Sequence, residues 1–147
     1  MIKEFKNLSI FDSGTEAIVN PVNCVGVMGA GLAKAFKDRY PLMFLEYKKA
    51  CNTHSFNPLK PGSLFIYNHG ELKIICFPTK NHFSENSKIE YIDSGLISLS
   101  RAIKRLNIKS ISIPMLGCGL GGLKQEDVIP LFYKHLSNVD CEIKLLK

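Results

Sequence analysis

A chain of 147 residues with 46% hydrophobic and 22% charged residues has the composition of one globular domain with a sizeable core. No apolar run approaches the roughly 18 residues of a membrane span, and the start Met1-Ile2-Lys3-Glu4-Phe5-Lys6 lacks the apolar block of a signal peptide, so a cytoplasmic setting and no membrane partner are expected. The formal charge of +6 suits an anionic ligand or nucleic acid as well as a plain basic surface, and the five cysteines, with no Cys-x-x-Cys pair, argue against a zinc module and read as reduced thiols.

Ile2 to Leu8 alternates weakly, as an edge strand would, and Ser9 to Thr15 leads into a short apolar run, Ala17-Ile18-Val19, that reads as a buried strand. Two asparagines and three glycines follow in Asn20-Pro21-Val22-Asn23-Cys24-Val25-Gly26-Val27-Met28-Gly29-Ala30-Gly31, before the helical segment Leu32-Ala33-Lys34-Ala35-Phe36. A strand, a glycine loop and a helix start offer unobstructed backbone N–H groups at the positive end of a helix dipole, which suits an anion and most often a phosphate. The same glycines would also serve a tight strand-to-helix turn with no ligand. The loop is not a P-loop, because Leu32 and Ala33 follow Gly31. Nor is it a dinucleotide fingerprint, because Lys34 stands where a glycine or alanine is needed.

The first helix, from about Leu32, should stop before Pro41, and a second shows Met43, Phe44, Tyr47 and Ala50 on one face. Pro58, Pro61 and Gly62 lead into a strand from Ser63 to Tyr67, a hairpin turn at Asn68-His69-Gly70 and a strand from Leu72 to Phe77. Phe77-Pro78-Thr79-Lys80-Asn81-His82-Phe83 then runs out into a polar loop. Ser87-Lys88-Ile89-Glu90 has the capping-box spacing, and Ile89, Ile92, Leu96, Leu99, Ile103 and Leu106 recur at helical spacing. A strand from Ser110 to Met115 ends in a second glycine loop, Leu116-Gly117-Cys118-Gly119-Leu120-Gly121-Gly122-Leu123. A helix begins near Lys124 with Gln125, Glu126 and Asp127 in its first turn, and Val139 to Leu146 closes the chain as a strand with Cys141, Ile143 and Leu145 on one face. Alternating strands and helices predict an α/β fold of three layers, a mixed, largely parallel sheet with helices on both faces. Ligands of such sheets collect beyond the carboxyl ends of the strands, where both glycine loops and the Lys80 loop would converge. Two backbone cradles suggest a ligand with two phosphates.

These two loops resemble those of macrodomains. Ala17 to Ala33 is similar to the family's first ligand loop and Leu116 to Leu123 to its second, over a span from about Lys3 to Leu146 that makes residues 1–147 a single macrodomain. The Val-Asn-Cys-Val-Gly-Val-Met-Gly form and the Phe77-Pro78-Thr79-Lys80-x-His82 segment are similar to the branch containing the terminal ADP-ribose glycohydrolases and the DNA ADP-ribosyl glycohydrolase antitoxins. That resemblance implies a hydrolase that binds ADP-ribose and cleaves its N-glycosidic link to a macromolecule, with no cofactor and no metal. It places the distal ribose and its phosphate on Asn20, Asn23, Cys24, Val25, Gly26, Val27, Met28, Gly29, Ala30 and Gly31, with the two asparagines shaping the loop or bonding the sugar. It wraps Leu116, Gly117, Cys118, Gly119, Leu120, Gly121 and Gly122 around the diphosphate, sets Thr79 and His82 beside the substrate, and makes Lys80 the catalytic residue. A lysine beside an anomeric carbon attacks it, or its open-chain aldehyde, when its pKa is lowered, and otherwise serves as a fixed positive charge.

Human-type terminal hydrolases carry an aspartate directly after Gly-Cys-Gly-Leu, where this chain has Gly121, as does the type that acts on DNA. The implied substrate is therefore ADP-ribosylated DNA, with thymidine as the modified base. Many macrodomains bond adenine through a Gly-Asp pair on the first ligand strand, and Leu8 and Ser9 match those positions. Ser9 or Asp12 would take over that contact, or stacking and backbone groups would hold the base. Two other readings fit the same loops: an ADP-ribose-binding module without catalysis, and a phosphatase acting on ADP-ribose 1''-phosphate. Cys24 and Cys118 read as small thiols packed under the loops rather than nucleophiles. Because the chain ends with its last strand, a monomer without an obligate toxin partner is expected.

Overall fold

Runs of consecutive apolar residues need cover on both faces of a sheet, and the fold supplies it in three layers. The computed structural model describes residues 1–147. Six strands, β1 (Ile2–Phe5), β2 (Ala17–Val22), β3 (Phe65–His69), β4 (Leu72–Pro78), β5 (Ser110–Pro114) and β6 (Glu142–Leu146), form one sheet in the order β1-β6-β5-β2-β4-β3. All neighbours are parallel except the β3–β4 hairpin. Helices α1 (Gly31–Arg39) and α2 (Pro41–Ala50) cover one face, α3 (Ile89–Arg105) and α4 (Gln125–Leu136) the other.

The strand residues divide between the two layers by parity. Ala17, Val19, Ile75 and Phe77 pack with Ile92, Leu96, Leu99 and Ile103 of α3 and with Val128, Phe132 and Leu136 of α4. Ile18, Val22, Ile74 and Cys76 pack with Phe36 of α1 and with Met43 and Tyr47 of α2. Helix α3 rides so close to the sheet that a Cβ on Gly95 would lie 2.2 Å from the Phe77 ring. Pro41 ends α1 and opens α2, since a proline at the first helical position lacks only an N–H that would be unpaired there. No helix is long and apolar enough to cross a membrane.

Two local expectations are corrected. The hairpin turn falls at Gly70-Glu71, not Asn68-His69-Gly70, because Asn68 and His69 continue the ladder opposite Lys73 and Leu72. The capping box does not form: Lys88 is the N-cap of α3 and makes no side-chain cap, while Ser87 is held by its backbone N–H to the Gly121 carbonyl at 2.9 Å. That bond draws Ser87 under the second glycine loop and away from the helix end.

The sheet also parts at one place. Strand β2 follows β4 from Ala17–Lys73 to Val22–Pro78, yet its register with β5 stops after Ala17–Ile111 and Ile18–Ser112. Beyond Ile18 the two central strands separate, and Pro21, which has no N–H to offer a neighbour, stands on the resulting gap. The gap opens at the carboxyl ends, where chain order reverses across the sheet.

Candidate functional site

A crevice of about 660 Å³ occupies that gap. Its wall comes from the end of β2 (Pro21, Val22), the first loop (Asn23, Val27 to Gly31), the start of α1 (Leu32, Ala33), the Lys80 loop (Thr79, Lys80, Phe83, Ser87) and the end of β5 with the second loop (Pro114, Met115, Gly117 to Gly121). The N–H groups of the first turn of α1 have no partners within the helix and open toward this space.

The shape of the first loop is set by Asn23. Its Oδ1 accepts the N–H groups of Val25 at 3.0 Å and Val27 at 3.4 Å, and its Nδ2 donates to the Val27 carbonyl at 2.7 Å. The buried Tyr47 hydroxyl bonds both Asn23 Oδ1 and the Asn23 carbonyl at 2.8 Å. This winding turns Cys24, Val25 and Gly26 away from the crevice toward α2, where a Cβ on Gly26 would lie 3.2 Å from Lys48 Cγ. Asn20 lies fully buried beneath, with Nδ2 3.7 Å from Met28 Sδ and Oδ1 without a partner.

In the second loop, a short 3-10 turn at Gly119–Gly121 follows Gly117, whose φ of +78° places it in the left-handed region. A side chain at Gly117 would also strike Leu123 Cδ1 at 2.6 Å. Across the crevice, Lys80 Nζ donates to the Leu120 carbonyl at 3.2 Å and to the Phe83 carbonyl at 3.5 Å, linking the end of β4 to the second loop. Lys80 is the one charged side chain in the wall, and no carboxylate accompanies it.

Several sequence-derived positions lie off this wall. Ser9 is exposed and its hydroxyl accepts the Phe11 N–H, capping the short turn Ile10–Asp12. His82 is exposed, its Nδ1 bonded to Ser84. Leu116 is buried in the α3/α4 core, and Gly122 ends the 3-10 turn on the outer side. Burial pushes the Cys24 thiol up to about 12, with the Cys51 and Glu85 charges adding to the effect, and burial also raises Cys118. Both stay protonated at neutral pH, which suits packing rather than attack. Sequence reasoning did not single out Phe83, three residues beyond Lys80 on the same loop, although its place beside a candidate catalytic residue was a usable signal. Ser87 gave no such signal.

Two backbone cradles and one ammonium at the carboxyl ends of parallel strands define an α/β domain of the kind that holds a phosphorylated ligand in a strand-end crevice. The family model described as Macro domain matches residues 19–132, and the chain belongs to the macrodomain family. A Mycobacterium tuberculosis protein named DNA ADP-ribosyl glycohydrolase is 48% identical over 136 residues, covering 88% of this chain and 38% of its own length. The chain thus spans well under half of that curated relative. The solved macrodomain of Mycobacterium tuberculosis DarG superposes with a TM-score of 0.93 at 42% identity, over 99% of this chain and 97% of that one. Thermosipho africanus DarTG, solved in complex with ADP-ribose, superposes with a TM-score of 0.87 at 31% identity, over 94% of this chain and 39% of that one.

Proposed function

We propose that this chain removes ADP-ribose from a nucleobase in DNA, with thymidine as the modified base. Lys80 carries the reading: a single lysine, clamped between two loop carbonyls, is the only charged side chain in a crevice otherwise lined by backbone, apolar groups and the uncharged residues Asn23, Thr79 and Ser87. The name of the Mycobacterium tuberculosis relative supports the reaction, and the ADP-ribose complex of the Thermosipho africanus protein supports the ligand. The start of α1 and the second glycine loop take the two phosphates on backbone N–H groups. The distal ribose then lies toward Lys80.

In the reaction the bond between the anomeric carbon and the base nitrogen breaks, and the base leaves with the bonding pair and takes up a proton. Water supplies the oxygen that ends on the anomeric carbon, giving free ADP-ribose. With no carboxylate in the wall to act as base, Lys80 is the group that meets the charge change. As an ammonium it stabilises the departing base. As an amine it forms a transient carbon–nitrogen bond to the anomeric carbon that water then hydrolyses.

The test is release of ADP-ribose from a single-stranded oligonucleotide carrying ADP-ribosyl-thymidine, by wild type and by Lys80→Ala. Wild-type release that falls about 100-fold or more in the variant, with free ADP-ribose still bound in calorimetry, is the expected result. Binding without release by the wild type would leave a binding module, and turnover restricted to ADP-ribose 1''-phosphate would make the chain a phosphatase.

A further inference from the structure

The Lys80 loop carries an aromatic pair that the reaction above does not use. Phe83 stands in the crevice wall with 51% of its surface open to solvent, at the mouth it shares with the 70% exposed Leu120. The His82 ring lies against it, centroids 4.2 Å apart and planes inclined by 34°, so one side of the phenyl group is backed and the rest is free.

The loop is braced in this posture. His82 Nδ1 accepts the Ser84 N–H at 3.1 Å and lies 2.7 Å from Ser84 Oγ. The His82 N–H donates to Glu85 Oε1 at 2.9 Å, and the Glu85 N–H returns to the His82 carbonyl at 3.2 Å. The Asn81 carbonyl accepts the Cys24 N–H at 3.1 Å, which ties the loop to the first glycine loop. Lys80 Nζ bonds the carbonyl of Phe83 itself. An exposed phenyl group on a segment held by this many bonds is a preorganised surface, with little ordering left to be done when something lands on it.

We propose that Phe83, backed by His82, is the stacking platform for the nucleobase that bears ADP-ribose, and thereby selects an aromatic leaving group. The inference rests on the glycohydrolase reading above. With the phosphates on the glycine loops and the anomeric carbon at Lys80, the leaving group emerges at the mouth, where Phe83 stands. A thymine presents a flat π-face to the ring, and stacking of this kind is a main source of affinity for unpaired bases. A glutamate or serine side chain as leaving group has no such face. The only charge in the wall is positive, which also suits a leaving base that carries developing negative charge.

The experiment measures KM and kcat on two substrates, ADP-ribosyl-thymidine nucleoside and a single-stranded oligonucleotide carrying it, for Phe83→Ala, Phe83→Leu and Phe83→Trp. Loss of one stacked base corresponds to about a 5- to 150-fold rise in KM. That rise is expected for Ala and Leu on both substrates, with Trp close to wild type and the affinity for free ADP-ribose unchanged. Unchanged KM in Phe83→Ala would overturn the proposal. So would a rise on the oligonucleotide alone, which puts a neighbouring base on the ring, or a parallel loss of free ADP-ribose affinity, which makes the role structural. Leu behaving as Phe would also overturn it, by reducing the contact to plain apolar packing. If wild type releases nothing, the glycohydrolase reading has failed by itself. The platform is then read from equilibrium binding of the modified oligonucleotide, where weakening by Phe83→Ala supports it and equal affinity sinks it.

Discussion

Adding one methyl group at Gly121 should destabilise the domain, and deleting the Ser87 hydroxyl should undo much of the damage. The Gly121 backbone has no positive φ, so its conformation alone would accept alanine. The obstacle is Ser87, whose Oγ would lie 2.4 Å and whose Cβ would lie 3.0 Å from the new carbon. Ser87 has little freedom to yield, being 6% exposed and bonded through its N–H to the carbonyl of Gly121 itself. Overpacking of this kind costs about 1–3 kcal/mol. A domain of this size loses about 2–4 °C of Tm per kcal/mol, so Gly121→Ala should melt roughly 2–12 °C lower. The Ser87 hydroxyl is buried without a partner, so Ser87→Ala alone should be neutral or stabilising by about 1 kcal/mol. Thermal and urea unfolding of the four proteins in the cycle, followed by circular dichroism, should give a coupling of about 0.5–3 kcal/mol. Wild-type stability in Gly121→Ala, or strict additivity of the two changes, would refute the packing argument. The aspartate of the human-type hydrolases, set at this position by sequence resemblance, would meet the same obstruction.

Gly95→Ala should lose stability in urea unfolding despite a gain of about 1 kcal/mol in helix propensity, because the added carbon would sit 2.2 to 2.9 Å from three atoms of the Phe77 ring. A raised urea midpoint would show that α3 can slide off the sheet. The His135 hydrogen bond, at 2.6 Å, holds the Asp93 carboxyl below the usual carboxylate range. A depressed folded-state pKa contributes stability that is present above about pH 4 and lost as pH falls through the lower folded value. Asp93→Asn should therefore be less stable than wild type at pH 6, by a gap that narrows as pH falls below about 4, and a gap that stays constant into acid would contradict the assignment.

Much of this arrangement was legible in the sequence where a local pattern has a single physical outlet. Ile92, Leu96, Leu99 and Ile103 repeat at helical spacing and all are buried on one stripe of α3. The consecutive apolar residues of β2 and β4 announced a sheet covered twice, and strand–glycine–helix passages located both loops. What remained hidden depends on residues distant in the chain. The outward turn of Cys24, Val25 and Gly26 follows from the bond between Asn23 and Tyr47, 24 positions away, and from packing on Lys48. Ser87 and Glu90 have capping spacing, yet the Gly121 carbonyl claims the Ser87 N–H, and no local rule foresees a partner 34 residues downstream. The aromatic lip was missed for a different reason. An exposed Phe83 looks like any loop hydrophobe until the bonds that hold it outward are seen.

The pairing of β1 with β6 sets a timetable for synthesis. Strand β1 has no neighbour except β6, and Ile2 aligns with Ile143. A ribosome adding roughly 5–20 residues per second needs about 7–30 seconds to deliver that partner, and meanwhile Ile2 and Phe5 are apolar residues on an unclaimed strand. Lys3, Glu4 and Lys6 stand between and beside them, charges that discourage pairing with a stray neighbour during the wait. Within this domain the strand made before all the others is thus paired only when β6 arrives, and its charges guard a growing chain before they decorate a finished surface.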